Sequence, residues 1–328
     1  MFWKKGLSLT CALMLLLCSG CARQEGEVKP TKEPQPEASG GFTLPDDIRV
    51  NAAGIPQLKV YVTEDREIHE MDLEEYLCGV LAGEMKNDWP EQALRAQAIL
   101  ARTFVVKFIT EKQSRYAGAD ISTDIEEAQA YDAQGINDRI RQAVEDTRGS
   151  IVCYGDEPIY AWFHAHSGGR TADAAEGLSY RDSAPYTQSV DSIESGEAPE
   201  DTAEWEADFT EKQIIAAAAD VGISLGDGVQ SVSPGAVGVS GRLKTFRING
   251  REIPANEFRI AIGSGDMKST LITDLSYHNG MLHIRGKGYG HGVGMSQWGA
   301  YALAEQGKDA EEIINMYFRN VNIVQIWK

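Results

Sequence analysis

Basic residues are in short supply. Against 49 aspartates and glutamates stand 31 lysines and arginines in 328 residues, a formal charge of −18. No Lys/Arg stripe is present, so the chain lacks the electrostatic footprint of a nucleic-acid binder and is repelled by anionic headgroups. A neutral or zwitterionic polymer suits it better as a partner. Cysteine is also scarce. Of five, Cys11, Cys18 and Cys21 lie in or just after the N-terminal apolar run, leaving Cys78 and Cys153. That excludes a disulfide-stapled framework and leaves one bridge or two free thiols open. Cys78 falls on an apolar helical face, where free thiols are common. Bilayer-length apolar runs are missing too, because Gly6 to Cys18 is only about 13 residues. Neither a P-loop nor a dinucleotide fingerprint occurs, and there is no HExxH.

What is present begins with an address. Lys4 and Lys5 precede the apolar run, which has the length of a signal-peptide core. It ends in Leu17-Cys18-Ser19-Gly20-Cys21, which resembles a bacterial lipobox with Cys18 where Leu is usual. Residues 1–20 are therefore expected to be a lipoprotein signal peptide and Cys21 the lipidated N-terminus. An ordinary cleaved signal peptide is the alternative. Residues 21–55, rich in Pro, Glu, Lys, Gly and Ser to about 45, read as a disordered tether, and 56–328 as the folded domain. The expected location is extracytoplasmic, anchored by lipid to the outer face of the cytoplasmic membrane.

Alternation at Leu58, Val60 and Val62 predicts a strand within 57–70. Asp72 and Glu75 have capping-box spacing, and Leu73, Tyr76, Leu77, Val80 and Leu81 follow at helical spacing. Trp89-Pro90 opens a long helix to Lys112. A helix over 136–149, two strands over 150–164 about Gly155-Asp156, an acidic surface loop over 190–208 and a helix over 210–221 follow. Alternation from 229 to 290 predicts several short strands. Helices over 296–306 and 309–319 close the chain, the second capped by Asp309 and Glu312. The class is α+β: segregated helices and short antiparallel strands, a single large domain with an inserted or flanking smaller lobe.

Three stretches carry chemistry. Glu84 shares the apolar face of its helix with Leu73, Leu77 and Val80. A carboxyl there loses hydration, which raises its pKa and suits it to general-acid work. At a frayed helix end turned to solvent it would do nothing. In Phe163-His164-Ala165-His166-Ser167-Gly168-Gly169, the two histidines share one side of a strand. They could hold a metal if Cys153, His291 or a carboxylate completed the set, or supply hydrogen bonds at a cleft edge. In Gly286-Lys287-Gly288-Tyr289-Gly290-His291-Gly292-Val293-Gly294-Met295-Ser296-Gln297-Trp298-Gly299, alternate glycines bare one backbone face. That face suits either close contact with a polymer or tight packing beneath another element. His291, Ser296, Gln297 and Trp298 offer groups suited to sugar.

In this order the stretches resemble the stage II sporulation protein D family, whose domain is shared with amidase-enhancer proteins. The resemblance runs from about residue 55 to the C-terminus. It is carried by Glu75-Tyr76-Leu77-Cys78-Gly79-Val80-Leu81-Ala82-Gly83-Glu84-Met85, by Leu94-Arg95-Ala96-Gln97-Ala98-Ile99-Leu100-Ala101-Arg102-Thr103, and by the histidine and glycine stretches. It implies a lytic transglycosylase with Glu84 as its catalytic residue and Arg102 also implicated. The implied reaction cuts the β-1,4 bond between N-acetylmuramic acid and N-acetylglucosamine, leaving a 1,6-anhydro end. Arg102, His164, Ser167, His291, Ser296 and Gln297 are the expected substrate-binding residues, Arg102 either binding the sugar or holding Glu84 in place. Partners implied are peptidoglycan glycan strands free of stem peptides and a cell-wall amidase of the stage II sporulation protein P type, acting during engulfment. One carboxylate suffices when the nucleophile is internal, and Asp191 is the nearest candidate for a second. A non-catalytic amidase enhancer and a hydrolase are the competing readings. Two departures stand out. Lys86 follows the Gly-Glu-Met motif where the family usually has Pro. Where some members bind zinc, this chain has Glu127-Ala128-Gln129-Ala130-Tyr131, so no metal or other cofactor is expected.

Overall fold

The computed structural model describes residues 41–226 and 228–328. The expected signal peptide, Cys21 and the tether up to residue 40 lie outside them.

A hairpin opens the larger lobe. In β1 (Gln57–Val62) and β2 (Glu67–Asp72), Gln57 faces Asp72 and Val62 faces Glu67. Leu58 and Val60 point into the core, as the alternation requires. Asp72 then caps α1 (Leu73–Glu84), accepting the Glu75 N–H at 2.9 Å. Only this half of the expected capping box forms. α2 (Glu91–Glu111) is the central helix, and α1, α3 (Asp138–Asp146) and the closing helices pack around it. β3 (Ile121–Ser122) joins β1 in parallel. After α3 come β4 (Ser150–Tyr154), β5 (Glu157–Pro158), β6 (Phe163–His164) and the short α4 (Ala174–Leu178).

The smaller lobe is an insertion. α5 (Glu200–Ala203), β7 (Glu204–Thr210), α6 (Glu211–Asp220), β8 (Val232–Pro234), β9 (Thr245–Ile248), β10 (Arg251–Pro254), α7 (Ala255–Gly263), β11 (Ile272–His278) and β12 (Met281–Lys287) follow one another. Their core runs from Trp205 to Ile284 and is separate from that of the larger lobe. The chain then returns through β13 (Met295–Ser296), α8 (Gln297–Glu305), α9 (Ala310–Tyr317) and β14 (Asn322–Gln325). β14 pairs with β4, and β13 lies parallel to β6. Asp309 and Glu312 form the expected reciprocal cap. The α+β class with a smaller inserted lobe is thus the observed one.

Three expectations change. Residues 41–55 are not all tether: Ile55 is buried, Phe42 and Leu44 pack on the core, and Val50 bridges Pro56. The apolar residues there find a surface, which a Pro/Glu-rich segment lacks. Residues 204–208 are strand rather than loop, because Trp205 and Phe209 point inward while β7 pairs along β12. α7 lies within a stretch expected to hold only strands.

Candidate active site

α1 delivers Glu84 at its last position, half-buried, where the helix ends at Met85. Gly79 and Gly83 make room for a second segment to lie on this helix. A Cβ on Gly83 would sit 2.6 Å from the Tyr131 nitrogen, and one on Gly79 would enter the Tyr131 ring. The Asp132 N–H bonds to the Gly79 carbonyl at 2.9 Å, and the Ala130 N–H reaches Glu84 Oε1 at 2.8 Å. Gln297, at the start of α8, donates through Nε2 to the Glu84 carbonyl at 3.1 Å. Residues distant in the chain thus meet at Glu84.

Burial pushes the Glu84 carboxyl up to about 7, against the Ala130 and Gln297 hydrogen bonds, which pull it down. A carboxyl of that pKa is protonated in a useful fraction near neutrality and can both give and take a proton. Beside it, Trp89, Trp298 and Tyr301 pack together, with Trp89 and Trp298 centroids 4.5 Å apart. The Lys86 ammonium lies 5.7 Å from the Trp298 ring centroid, so the residue replacing Pro also faces this cluster.

Other expected site residues turn inward. Arg102 has no solvent exposure. Its Nη2 meets Glu74 Oε2 at 2.6 Å, and its other donors go to Glu74 Oε1, the Val144 and Ser150 carbonyls and Thr147. Glu74 is in the first turn of α1 and Glu84 in its last, about 15 Å apart along the axis. In this structure the guanidinium ties α1 and α2 to the turn before β4, with every donor spent within the core, rather than facing a cleft.

Ser167 and Ser296 turn inward in the same way. Both are fully buried, and both hydroxyls donate to Glu194, Ser296 at 2.8 Å. Ser192 donates to the same carboxylate at 2.9 Å, and His166 Nε2 stands 3.8 Å from it. Glu194 is the residue the sequence reading missed. It lies within the acidic 190–208 stretch, and only the converging hydroxyls distinguish it from its neighbours. Asp191, by contrast, is exposed and paired with Arg170 at 3.2 Å.

His164 is buried, with Nδ1 3.1 Å from the Val293 carbonyl, and desolvation pulls its pKa down. His291 accepts the Val293 N–H on Nδ1 at 3.0 Å, and burial holds it at about 3, helped by Arg259 and Arg242. Both are neutral imidazoles whose Nδ1 atoms serve the backbone. His291 is only half-buried, and Gln297 is the member of the expected set that meets Glu84.

The glycine segment packs against protein. A Cβ on Gly288 would meet the His166 carbonyl at 2.6 Å, one on Gly292 the Arg242 guanidinium at 2.4 Å, and one on Gly294 the Trp162 carbonyl at 2.0 Å. Of the two uses open to the bared face, the structure selects packing under the histidine stretch.

The zinc-matching segment does not fit an ion. The Glu127 carboxylate takes the Ser114 hydroxyl at 3.0 Å, and Ala128 offers no donor atom. Among the described residues no three His, Cys, Asp or Glu side chains converge to hold one.

The fold and site define a class: a two-lobed α+β protein with a desolvated carboxyl at the end of a buried helix. A family model described as Stage II sporulation protein matches residues 61–154. The chain is 32% identical to stage II sporulation protein D of Bacillus amyloliquefaciens, over 86% of this chain and 85% of that one. It is 30% identical to stage II sporulation protein D of Bacillus subtilis, over 97% and 94%. An amidase enhancer of Bacillus subtilis is 28% identical over 74% of this chain and 39% of its own length. The chain belongs to the stage II sporulation protein D family.

Proposed function

We propose that this protein is a peptidoglycan lytic transglycosylase of sporulation, with Glu84 as its acid/base. The observation that carries the reading is the Glu84 carboxyl, held half-buried with its pKa raised to about 7. Protonated Glu84 gives its proton to the glycosidic oxygen as the bond to muramic acid C1 breaks. The 6-hydroxyl oxygen of the same muramic acid then bonds to C1, and its proton returns to Glu84. No water is consumed, so a second carboxylate to activate water is not required. The shared domain and the name of the amidase-enhancer relative favour one second reading, a non-catalytic wall-binding protein that stimulates an amidase of the stage II sporulation protein P type. Mass analysis of the products from amidase-treated wall separates these readings: a 1,6-anhydro end supports the transglycosylase, a reducing end a hydrolase, and no cut the enhancer.

The pH dependence follows from the direction of the shift. A general acid must carry its proton, so cleavage should fall as pH rises through about 7, the value at which burial holds Glu84. In Glu84→Asp the same limb should persist at reduced rate. A flat profile between pH 5 and about 8 would assign the proton to another group.

The protein is proposed to act outside the cytoplasmic membrane, held by two acyl chains on Cys21. Among the described residues no helix is long and apolar enough to cross a membrane. Each buried CH₂ contributes about 0.8 kcal/mol, so two chains hold stably. Cys21→Ala should release the protein from membranes or leave it at precursor size. Wild-type protein that takes up no labelled fatty acid would remove the anchor from this reading.

A further inference from the structure

Two of the 12 residues of α1 are glycine, Gly79 and Gly83, and at a spacing of four they share one face of the helix. Glycine inside a helix weakens it relative to alanine. Neither has the positive φ that calls for glycine, so backbone conformation does not explain them. Space does. Besides the Tyr131 nitrogen, a Cβ on Gly83 would meet the Ala130 carbonyl carbon at 2.7 Å and its oxygen at 2.9 Å. These are backbone atoms, which cannot swing aside as a side chain can. The bared stripe is filled by the loop 123–137 between β3 and α3, and that loop is pinned on both sides of the contact. Before it, the Glu127 carboxylate accepts the Ser114 hydroxyl at 3.0 Å and the Arg115 N–H at 2.5 Å. At it, the Tyr131 ring stacks on Tyr76 with centroids 5.6 Å apart. Beyond it, Asn87 Nδ2 donates to the Gly135 carbonyl at 2.9 Å, and Asn137 Nδ2 to the Asn87 carbonyl at 3.1 Å. Between these pins the Ala130 N–H is spent on Glu84 Oε1.

The geometry points to this loop as the positioning element of the acid/base: its Ala130 N–H occupies Oε1 of Glu84, the transferable proton is carried on Oε2, and Gly83 admits the loop. This rests on the transglycosylase reading above. An oxygen that accepts an N–H serves as the carbonyl oxygen of the neutral acid, which leaves the hydroxyl on the other. Once that proton has gone to the glycosidic oxygen, the same N–H stabilises the carboxylate, and Oε2 takes the proton of the 6-hydroxyl. Both transfers thus run through one atom, and the carboxyl plane is held against rotation. The ionisable neighbours are Tyr76 on α1, Tyr131 and Glu127 on the loop, and Lys86 just past the helix end. Among the described residues none of these hydrogen-bonds to the Glu84 carboxyl, whose pKa is drawn down by Ala130 and Gln297.

NMR reads the arrangement without turnover. In wild-type protein the Ala130 amide proton should follow the titration of the Glu84 carboxyl carbon with the same midpoint, and should lose that transition in Glu84→Gln. Replacing Ala130 by lactic acid turns its N–H into an ester oxygen and keeps the side chain. That should raise the Glu84 midpoint by about one to two pH units, the worth of a hydrogen bond to a charged group. The alkaline limb of cleavage should move up with it, and the plateau rate should fall about tenfold as the carboxyl loses its alignment. Gly83→Ala, which favours the helix but crowds the loop, should uncouple the amide from the carboxyl and lower turnover about tenfold. An Ala130 amide that does not titrate with Glu84 in wild-type protein overturns the assignment, whether or not either variant folds. So does an ester protein with the wild-type midpoint and rate, and so does Gly83→Ala with coupling and turnover intact. If the amide follows Glu84 and the ester raises the midpoint but no form cuts glycan, the positioning stands and the transglycosylase reading fails. If the protein cuts glycan and the midpoint does not respond, the positioning alone fails.

Discussion

Glu84→Gln should lower glycan cleavage by about 10²–10⁴-fold while leaving the protein folded. Glutamine keeps the shape and the oxygen that accepts the Ala130 N–H, now at 2.8 Å. It removes the titratable proton of this carboxyl. The stability effect has a definite sign. The folded-state pKa, about 7, lies above the ordinary glutamate value of about 4.5 that the unfolded chain shows, so between the two the folded protein holds a proton that the unfolded chain has lost. Wild-type stability is therefore favoured at low pH and declines as pH rises between those values. Glu84→Gln should match wild type below about pH 4.5 and be the more stable above about 7. A variant that retains more than about a tenth of wild-type turnover would remove Glu84 from the chemistry.

Arg102→Ala should cost about 3–5 kcal/mol of folding stability, because it leaves the Glu74 carboxylate buried without its charge partner. Glu74 would keep only the Gly149 N–H at 3.0 Å and the Trp327 indole at 2.8 Å. Arg102→Lys keeps the charge but cannot reproduce five donors in a planar fork, and it should fall between. Denaturant unfolding measures the loss, and turnover per folded molecule should stay near wild type. Full stability with lost turnover would return Arg102 to the substrate.

The contrast between these two residues shows what was legible. Glu84 and Arg102 both sit on apolar helical faces, and both read as functional. The spacing of Leu73, Leu77 and Val80 announces a buried face, and a carboxyl on it must be desolvated wherever the helix packs. For Arg102 the same inference is incomplete, since burial of an arginine is compatible with a sugar or with an internal acid. Its partner Glu74 is 28 positions away, and nothing local marks the pair. β7 was misread for a related reason. Trp205, Ala207 and Phe209 alternate correctly, but the acidic residues between them and before them conceal a strand whose outer face is charged.

The glycine segment marks the same boundary. By itself the sequence determined the α+β class, the two principal helices of the site, the apolar placement of Glu84 and the bare backbone face from Gly286 to Gly294. These depend on periodicity and on the absence of side chains, which are local properties. Only the tertiary structure decided what the bare face touches, that Ser167 and Ser296 serve Glu194, and that Gln297 meets Glu84. Those outcomes depend on which distant segment fills each space. Buried hydrogen-bonding groups must find partners, and the partners are chosen by the packing of the whole chain rather than by neighbours in sequence.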